Sequence, residues 1–275
     1  MRQLVMIGNS VTDGEQLCSY INYRLLNSSS WEELSKTLEA TGRSADLIDF
    51  YRQITAVSQT GRIVSAGVSL AERFGLEDPA LKKELSALLR DYFGIPPRFL
   101  DEIFRFSHRA VKAALEPLRK SVQNQMQVWA LRNHPHCYMC GVTLNFTEQD
   151  HLHSYTCEHV WPRGYGGNSI PDNLLPACKS CNSNKKANFA TWVMPGIQSL
   201  VLGLAPTEEK LQQIPGSYKF SIHYRVAQRV AIEKGVPLKA AFLQIGPWED
   251  VRVRDIDDVV DIFNLQNHVE DRAVT

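Results

Sequence analysis

The 275-residue chain is 44% apolar and 22% charged, a balance that excludes wholesale disorder and suits about two domains of roughly 150 residues each. Thirty Lys and Arg offset thirty Asp and Glu, and a net charge of zero excludes an indiscriminate polyanion binder. No apolar run reaches the roughly 20 residues that cross a bilayer, which argues against a membrane-spanning helix.

The opening MRQLVMIGNSVTDGE turns polar too soon for a signal peptide, so the expected location is cytoplasmic. Residues 1–133 read as a helical N-terminal domain. Ser30-Trp-Glu-Glu33 has the capping-box pattern and opens a helix stopping near Gly42. Ser44 caps a second helix, expected to reach about Thr60 with Gly61 past its end. Asp78-Pro79 sets a cap before a first-turn proline and predicts a helix to about Tyr92. Another starts after Pro96-Pro97 and is expected to kink or break at Pro117, and a last one spans Gln123 to Arg132. Six Lys and Arg between Arg105 and Arg132 face the single Glu116, a basic approach to the segment that follows.

Residues 134–192 change texture. Ser154 to Trp161 is rich in β-formers and ends at Pro162, which predicts a strand stopping there. Gly164, Gly166 and Gly167 predict a flexible loop that allows close backbone approach. From Cys178 a metal knuckle is expected to roll into a helix carrying Asn182, Lys185 and Lys186. Residues 193–275 form a mostly helical C-terminal region expected to pack on the rest. Within it Tyr218 to Glu233 offers an apolar face of Phe220, Ile222, Val226, Val230 and Ile232, and Val251 to Phe263 reads as a short strand and helix. The acidic residues beyond Trp248 read as a solvated face. The fold class is therefore mainly α with a small α+β insert.

Cys137-Tyr-Met-Cys140 and Cys178-Lys-Ser-Cys181 supply four thiolates in two CxxC turns, the set a tetrahedral structural Zn²⁺ prefers. In a reducing cytosol such pairs bind metal rather than form disulfides. Cys18 and Cys157 lack such partners and read as core residues, while His134 and His136 read as surface or phosphate-facing.

Between the CxxC pairs stand Glu158-His159, Asn173 and Asn182. A neutral imidazole takes a proton from water near pH 7, and a carboxylate is a hard ligand for Mg²⁺ or Mn²⁺. Phosphodiester hydrolysis needs both, which makes His159 the candidate general base and Glu158 a candidate ligand of the catalytic cation. Strand alternation points neighbours to opposite faces, a difficulty for this dyad unless Pro162 relaxes it. The amide oxygen of Asn182 is a second candidate ligand, and Asn173 is placed to orient the His159 imidazole. Lys185 and Lys186, three and four residues beyond Asn182, share its helical face and are candidate phosphate contacts together with Arg163.

These motifs resemble the HNH nuclease module. The match runs from CxxCG at Cys137–Gly141 through Glu158-His159, Pro162, Gly166-Gly167 and Asn173-Leu174 to CxxCNxxK at Cys178–Lys185. The resemblance implies a ββα-metal fold, a β-hairpin and helix around a catalytic metal, with the cysteines as structural zinc site. It implies His159 as base, Asn173 as its positioning residue, and Glu158 and Asn182 as metal ligands, with Glu158 where the family usually has Asp. The implied activity is a Mg²⁺- or Mn²⁺-dependent endonuclease cutting DNA, with RNA the alternative substrate, in a setting such as prokaryotic defence or a mobile element. Two other readings stay open: a zinc-stabilised nucleic-acid-binding module without catalysis, and a nuclease subunit active only with a partner such as an ATPase. The helical flanks match no family motif, and a protein partner or a second copy is their expected contact.

Overall fold

The computed structural model describes residues 10–26, 44–148, 151–188 and 230–248, with helical positions at 33, 36, 223, 224 and 226–228; side chains at 44–51 and 186–188 lie outside this description. Among the described residues the architecture is mainly helical, with one two-stranded antiparallel sheet. Helices α1 (Asp13–Tyr20), α2 (Ser44–Phe74), α3 (Pro79–Asp91), α4 (Pro97–Leu115) and α5 (Lys120–Asn133) come first. Strands β1 (Tyr155–His159) and β2 (Leu174–Cys178) lead into α6 (Lys179–Asn188), and α7 (Leu238–Ile245) follows. No helix among the described residues is long and apolar enough to cross a membrane.

Thr12 and Glu15 start α1 with a reciprocal capping box: Thr12 Oγ1 accepts from the Glu15 amide at 3.2 Å, and the carboxylate accepts from the Thr12 amide at 2.9 Å. Burial raises the pKa of Glu15, and the bonds from Thr12 oppose that rise. The next helix begins at Ser44 as expected but does not stop at Gly61; it continues to Phe74 and ends at Gly75, whose φ is +94°. Gly61 is there for packing, because a Cβ would sit 2.4 Å from the Tyr165 ring. A helical glycine costs about 1 kcal/mol in propensity, which tertiary contact outweighs here.

Asp78 caps α3 through its Oδ1, which accepts from the Ala80 amide at 2.8 Å, and Leu81, Leu85 and Leu89 bury one helical stripe. Pro117 lies in the break between α4 and α5. Around residues 223–234 the buried side is Tyr224, Ala227 and Ala231, whereas Ile232 is 37% exposed, so the apolar face is rotated from the expected one. The rotation follows from His223, which donates from Nε2 to the Gly246 carbonyl at 2.7 Å and packs on Phe242. Glu33 and Lys36 are helical; the rest of the expected 30–42 helix and the whole of 251–263 lie outside the described residues.

One apolar cluster runs from Leu17, Ile63, Leu85 and Ile103 in the helices to Trp161, Leu175 and Phe242. The cluster draws buried residues from both sides of residue 133. The two-stranded hairpin thus sits on the helices rather than apart from them.

Candidate metal centre and catalytic cleft

The four Sγ atoms of Cys137, Cys140, Cys178 and Cys181 lie within 4.8 Å of one another. Zn–S bonds of about 2.3 Å arranged tetrahedrally space sulfurs about 3.8 Å apart. Cys140 and Cys178 stand 3.8 Å apart. Gly141, at φ +72°, closes the first turn by donating its amide to the Cys137 carbonyl at 2.9 Å. In the second, the Cys181 amide donates to Cys178 Sγ at 3.4 Å. Hydrogen bonding within the quartet lowers the Cys140 and Cys178 thiols and raises those of Cys137 and Cys181, so the four titrate as one coupled group. The donor set and spacing fit a structural zinc ion.

The two CxxC turns are tied to one hairpin. Cys178 ends β2, which pairs antiparallel with β1 so that Glu158 faces Leu175 and His159 faces Leu174. Tyr138, inside the first turn, donates its amide to the Pro176 carbonyl at 3.0 Å. Phe242 of α7 meets the Tyr138 ring edge-on at 5.2 Å, and the Trp248 amide bonds the Met139 carbonyl at 2.8 Å.

β1 keeps its alternation. Thr156 and Glu158 bond to α6, whereas His159 bonds elsewhere: its Nε2 lies 3.0 Å from Ser169 Oγ in the segment returning to β2. Glu158 Oε1 is 2.8 Å from Lys185 Nζ, with side-chain exposures of 7% and 1%. Lys185 also donates to the carbonyls of His159 and Val160 and to the Tyr138 hydroxyl. Burial lowers the Lys185 pKa, and the charge of Glu158 opposes that. Lys185 is therefore not a phosphate contact: its ammonium is sealed behind β1, where it neutralises Glu158 and holds the end of the strand. Lys186 has its side chain outside the described residues.

Asn173 is also placed otherwise than expected. Its Oδ1 accepts from the Trp161 amide at 2.8 Å, and its Nδ2 donates to the carbonyls of Trp161 and Asn168, each at 3.0 Å. These bonds clamp the chain just beyond His159 and do not reach the imidazole. Ser169 holds the ring instead, a contact no motif in the sequence signals.

Asn182 donates its Nδ2 to Thr156 Oγ1 at 3.1 Å, while its Oδ1 is buried with no hydrogen-bond partner among the described residues. A buried acceptor without a partner costs about 1–3 kcal/mol, and a cation would satisfy it. A cleft of about 400 Å³ is lined by Asn182, His159, Glu158, Cys157, Arg163 and Tyr165. The three residues expected around one cation thus share a cavity, with the carboxylate of Glu158 bound to Lys185. Arg163 is exposed at this cleft. Cys157 is half-buried beside His159, where burial pushes its thiol up to about 11; Cys18 is in the helical core.

The loop after β1 is tightly packed rather than flexible. Gly166 adopts φ +81°, and a Cβ on Gly167 would fall 1.9 Å from the Trp161 carbonyl oxygen. The Gly14 amide at the start of α1 donates to the Gly166 carbonyl at 2.8 Å. Asp13 and Asn168 exchange two further bonds, at 2.7 and 2.9 Å. Gly164 alone in this loop faces open space.

Residues 137–188 match the family model described as HNH endonuclease. The chain carries an HNH endonuclease domain, which points to a nuclease that binds nucleic acid, while α1–α5 and α7 lie outside the match. No curated protein and no solved structure matches the chain.

Proposed function

We propose that the chain is a divalent-metal-dependent endonuclease that hydrolyses DNA phosphodiester bonds. The observation that carries this reading is the unpartnered, buried Oδ1 of Asn182 in one cleft with His159, on a hairpin framed by four clustered thiols. Asn182 Oδ1 and the carboxylate of Glu158 would hold Mg²⁺ or Mn²⁺. A cation held there would supply charge neutralisation at the scissile phosphate and the departing oxygen.

His159 acts as general base. Its imidazole takes a proton from the attacking water, and the Ser169 hydroxyl fixes the ring plane from the Nε2 side. Asn173 keeps the chain beyond His159 in register by gripping both polar groups of the Trp161 backbone. Lys185 holds the Glu158 carboxylate in place from behind, and Arg163 meets the phosphate at the open side of the cleft. RNA is the alternative substrate.

One observation favours a second reading. The Glu158–Lys185 pair gives the carboxylate a structural partner, as a zinc-stabilised binding module without catalysis would need. Cleavage of plasmid DNA by pure protein with Mg²⁺ or Mn²⁺ separates the two readings. We expect cleavage by the wild type and none by His159→Ala, with equal zinc content in both. Cleavage retained by the variant refutes the assignment of the base.

The wider setting we propose is a prokaryotic cytoplasmic nuclease acting on invading or mobile DNA. Zero net charge supports dependence on a partner or a second copy, because affinity for DNA comes largely from neutralised phosphates. Co-purification from the native host tests it; an active solitary monomer counts against it.

A further inference from the structure

The helical region carries a groove that the HNH match does not cover. It lies between α2 and α3, has a volume of about 600 Å³, and is lined by Arg62, Ser65, Ser69, Tyr92 and Phe93. Gly164 and Tyr165 line it as well, and the same two residues line the cleft that holds His159. The groove and the cleft therefore adjoin, with Gly164 and Tyr165 common to both and Arg163 lining the cleft side.

Its chemistry is particular. Tyr92 is 64% exposed, the largest exposure of any aromatic residue among the described ones. The Arg62 guanidinium lies 5.3 Å from the Tyr92 ring centroid and 5.6 Å from that of Phe93, and donates to the Tyr92 hydroxyl at 2.5 Å. An exposed ring held by a cation costs little to order, and it presents a π-face with a positive charge beside it. Ser65 and Ser69, one turn apart on α2, add hydroxyls along the same wall. Stacking surface, cation and hydroxyls together match an unpaired nucleotide: base on ring, phosphate on guanidinium. Inside a duplex both faces of a base are already stacked on its neighbours, so only an unstacked base can lie on the ring. Past Tyr92 the adjoining valley is lined by Glu84 and Asp91 together with Arg73, so positive charge is no longer in excess there.

We propose that this groove binds a single-stranded segment of nucleic acid flanking the scissile phosphate, with one base stacked on Tyr92 and one phosphate on Arg62. The inference rests on the nuclease reading and names its substrate class: a strand unpaired beside the cut, as at a flap, a bubble or a free single strand.

The test uses full-length zinc-loaded protein in the His159→Ala background, so that the probe stays intact. Fluorescence anisotropy is read with a short labelled oligothymidylate, the matching oligouridylate and a blunt duplex of equal length. We expect tighter binding of the single strands than of the duplex. Tyr92→Leu should weaken single-strand binding about tenfold, within the range of one lost base stack, and Tyr92→Phe should restore most of it. Arg62→Ala should lower the slope of log affinity against log salt by about 0.7, the value for one phosphate on a single strand. The two single-stranded probes show whether the strand is DNA or RNA.

Unchanged single-strand affinity in both Tyr92→Leu and Arg62→Ala overturns the groove proposal while leaving wild-type cleavage intact. Equal or tighter binding of the blunt duplex also overturns it. If wild type cleaves nothing and His159→Ala binds no probe, the nuclease reading fails and the groove proposal with it.

Discussion

Lys185 separates two physical roles cleanly. If it is the buried counter-charge of Glu158, Lys185→Met keeps the length of the stem, deletes the ammonium and leaves a carboxylate uncompensated. The pair is 2.8 Å long with side-chain exposures of 1% and 7%, and the ammonium also serves Val160 at 2.9 Å and Tyr138 at 3.3 Å. Removing one partner of a buried pair costs about 3–5 kcal/mol. At about 2–4 °C per kcal/mol for a chain of this size, Tm should fall by about 10 °C. The double variant Lys185→Met/Glu158→Gln removes both charges and should recover at least half of the loss. Thermal unfolding followed by circular dichroism in excess zinc reads all four proteins of the cycle. A phosphate-binding lysine predicts the reverse pattern. A Tm within about 2 °C of wild type, coupled with a large loss of oligonucleotide affinity, would refute the buried role.

Three further outcomes follow from the same contacts. Burial holds the His223 pKa at about 4, below the ordinary imidazole value of about 6.5, so the unfolded chain binds the extra proton between those values. Stability from this group is fully present above pH 6.5 and is lost as pH falls towards 4, by about 3 kcal/mol; denaturant titrations at pH 7 and pH 4.5 should show the drop, and His223→Gln should flatten it. Stripping zinc, or Cys178→Ser, should unfold the hairpin, since structural zinc contributes on the order of 10 kcal/mol; near-ultraviolet dichroism of the Trp161 environment that is unchanged without metal would contradict this. Gly14→Ala would set a Cβ 2.0 Å from the Tyr165 carbonyl oxygen, and should destabilise by about 1–3 kcal/mol and depress cleavage even where the protein remains folded; wild-type single-turnover rates at low temperature would show that this contact is not needed.

The four-thiol cluster was legible because its information is local. Two CxxC turns state ligand type and spacing in a few residues, and the structure needs only a hairpin to bring Cys137 near Cys178. Asp78-Pro79 is local in the same way, and its cap is present. Thr12 and Glu15 spell an equally local capping box, of the same pattern as Ser30 and Glu33. The placements that differ from expectation depend on contacts between elements. Helical spacing put Lys185 on the face of Asn182, but spacing alone says nothing of what lies behind β1. The strand period carried the missing signal: if His159 faces outward, Glu158 faces inward and requires a buried cation. Asn173 and Ser169 differ for a similar reason. Both lie in the segment returning to β2, and only tertiary geometry decides which reaches the imidazole. Gly61 read as a helix stop because its partner, Tyr165, is far away in sequence.

The same long-range contacts change what the helical flank does. The loop from Pro162 to Gly167 carries Arg163 at the mouth of the cleft, and its backbone is fixed from both sides. Trp161 Nε1 donates to the Tyr165 carbonyl at 2.9 Å from within, and α1 presses on it from without, Gly14 donating to Gly166 at 2.8 Å. Asp13 grips Asn168, whose carbonyl accepts from Asn173, which in turn holds both polar groups of the Trp161 backbone. A line of hydrogen bonds thus joins the first turn of α1 to the residues directly after His159. Each bond is worth about 1 kcal/mol, but a site with misplacement tolerances near 1 Å is sensitive to all of them. The helices therefore act as part of the frame of the cleft, and whatever binds them is in physical contact with the geometry of His159.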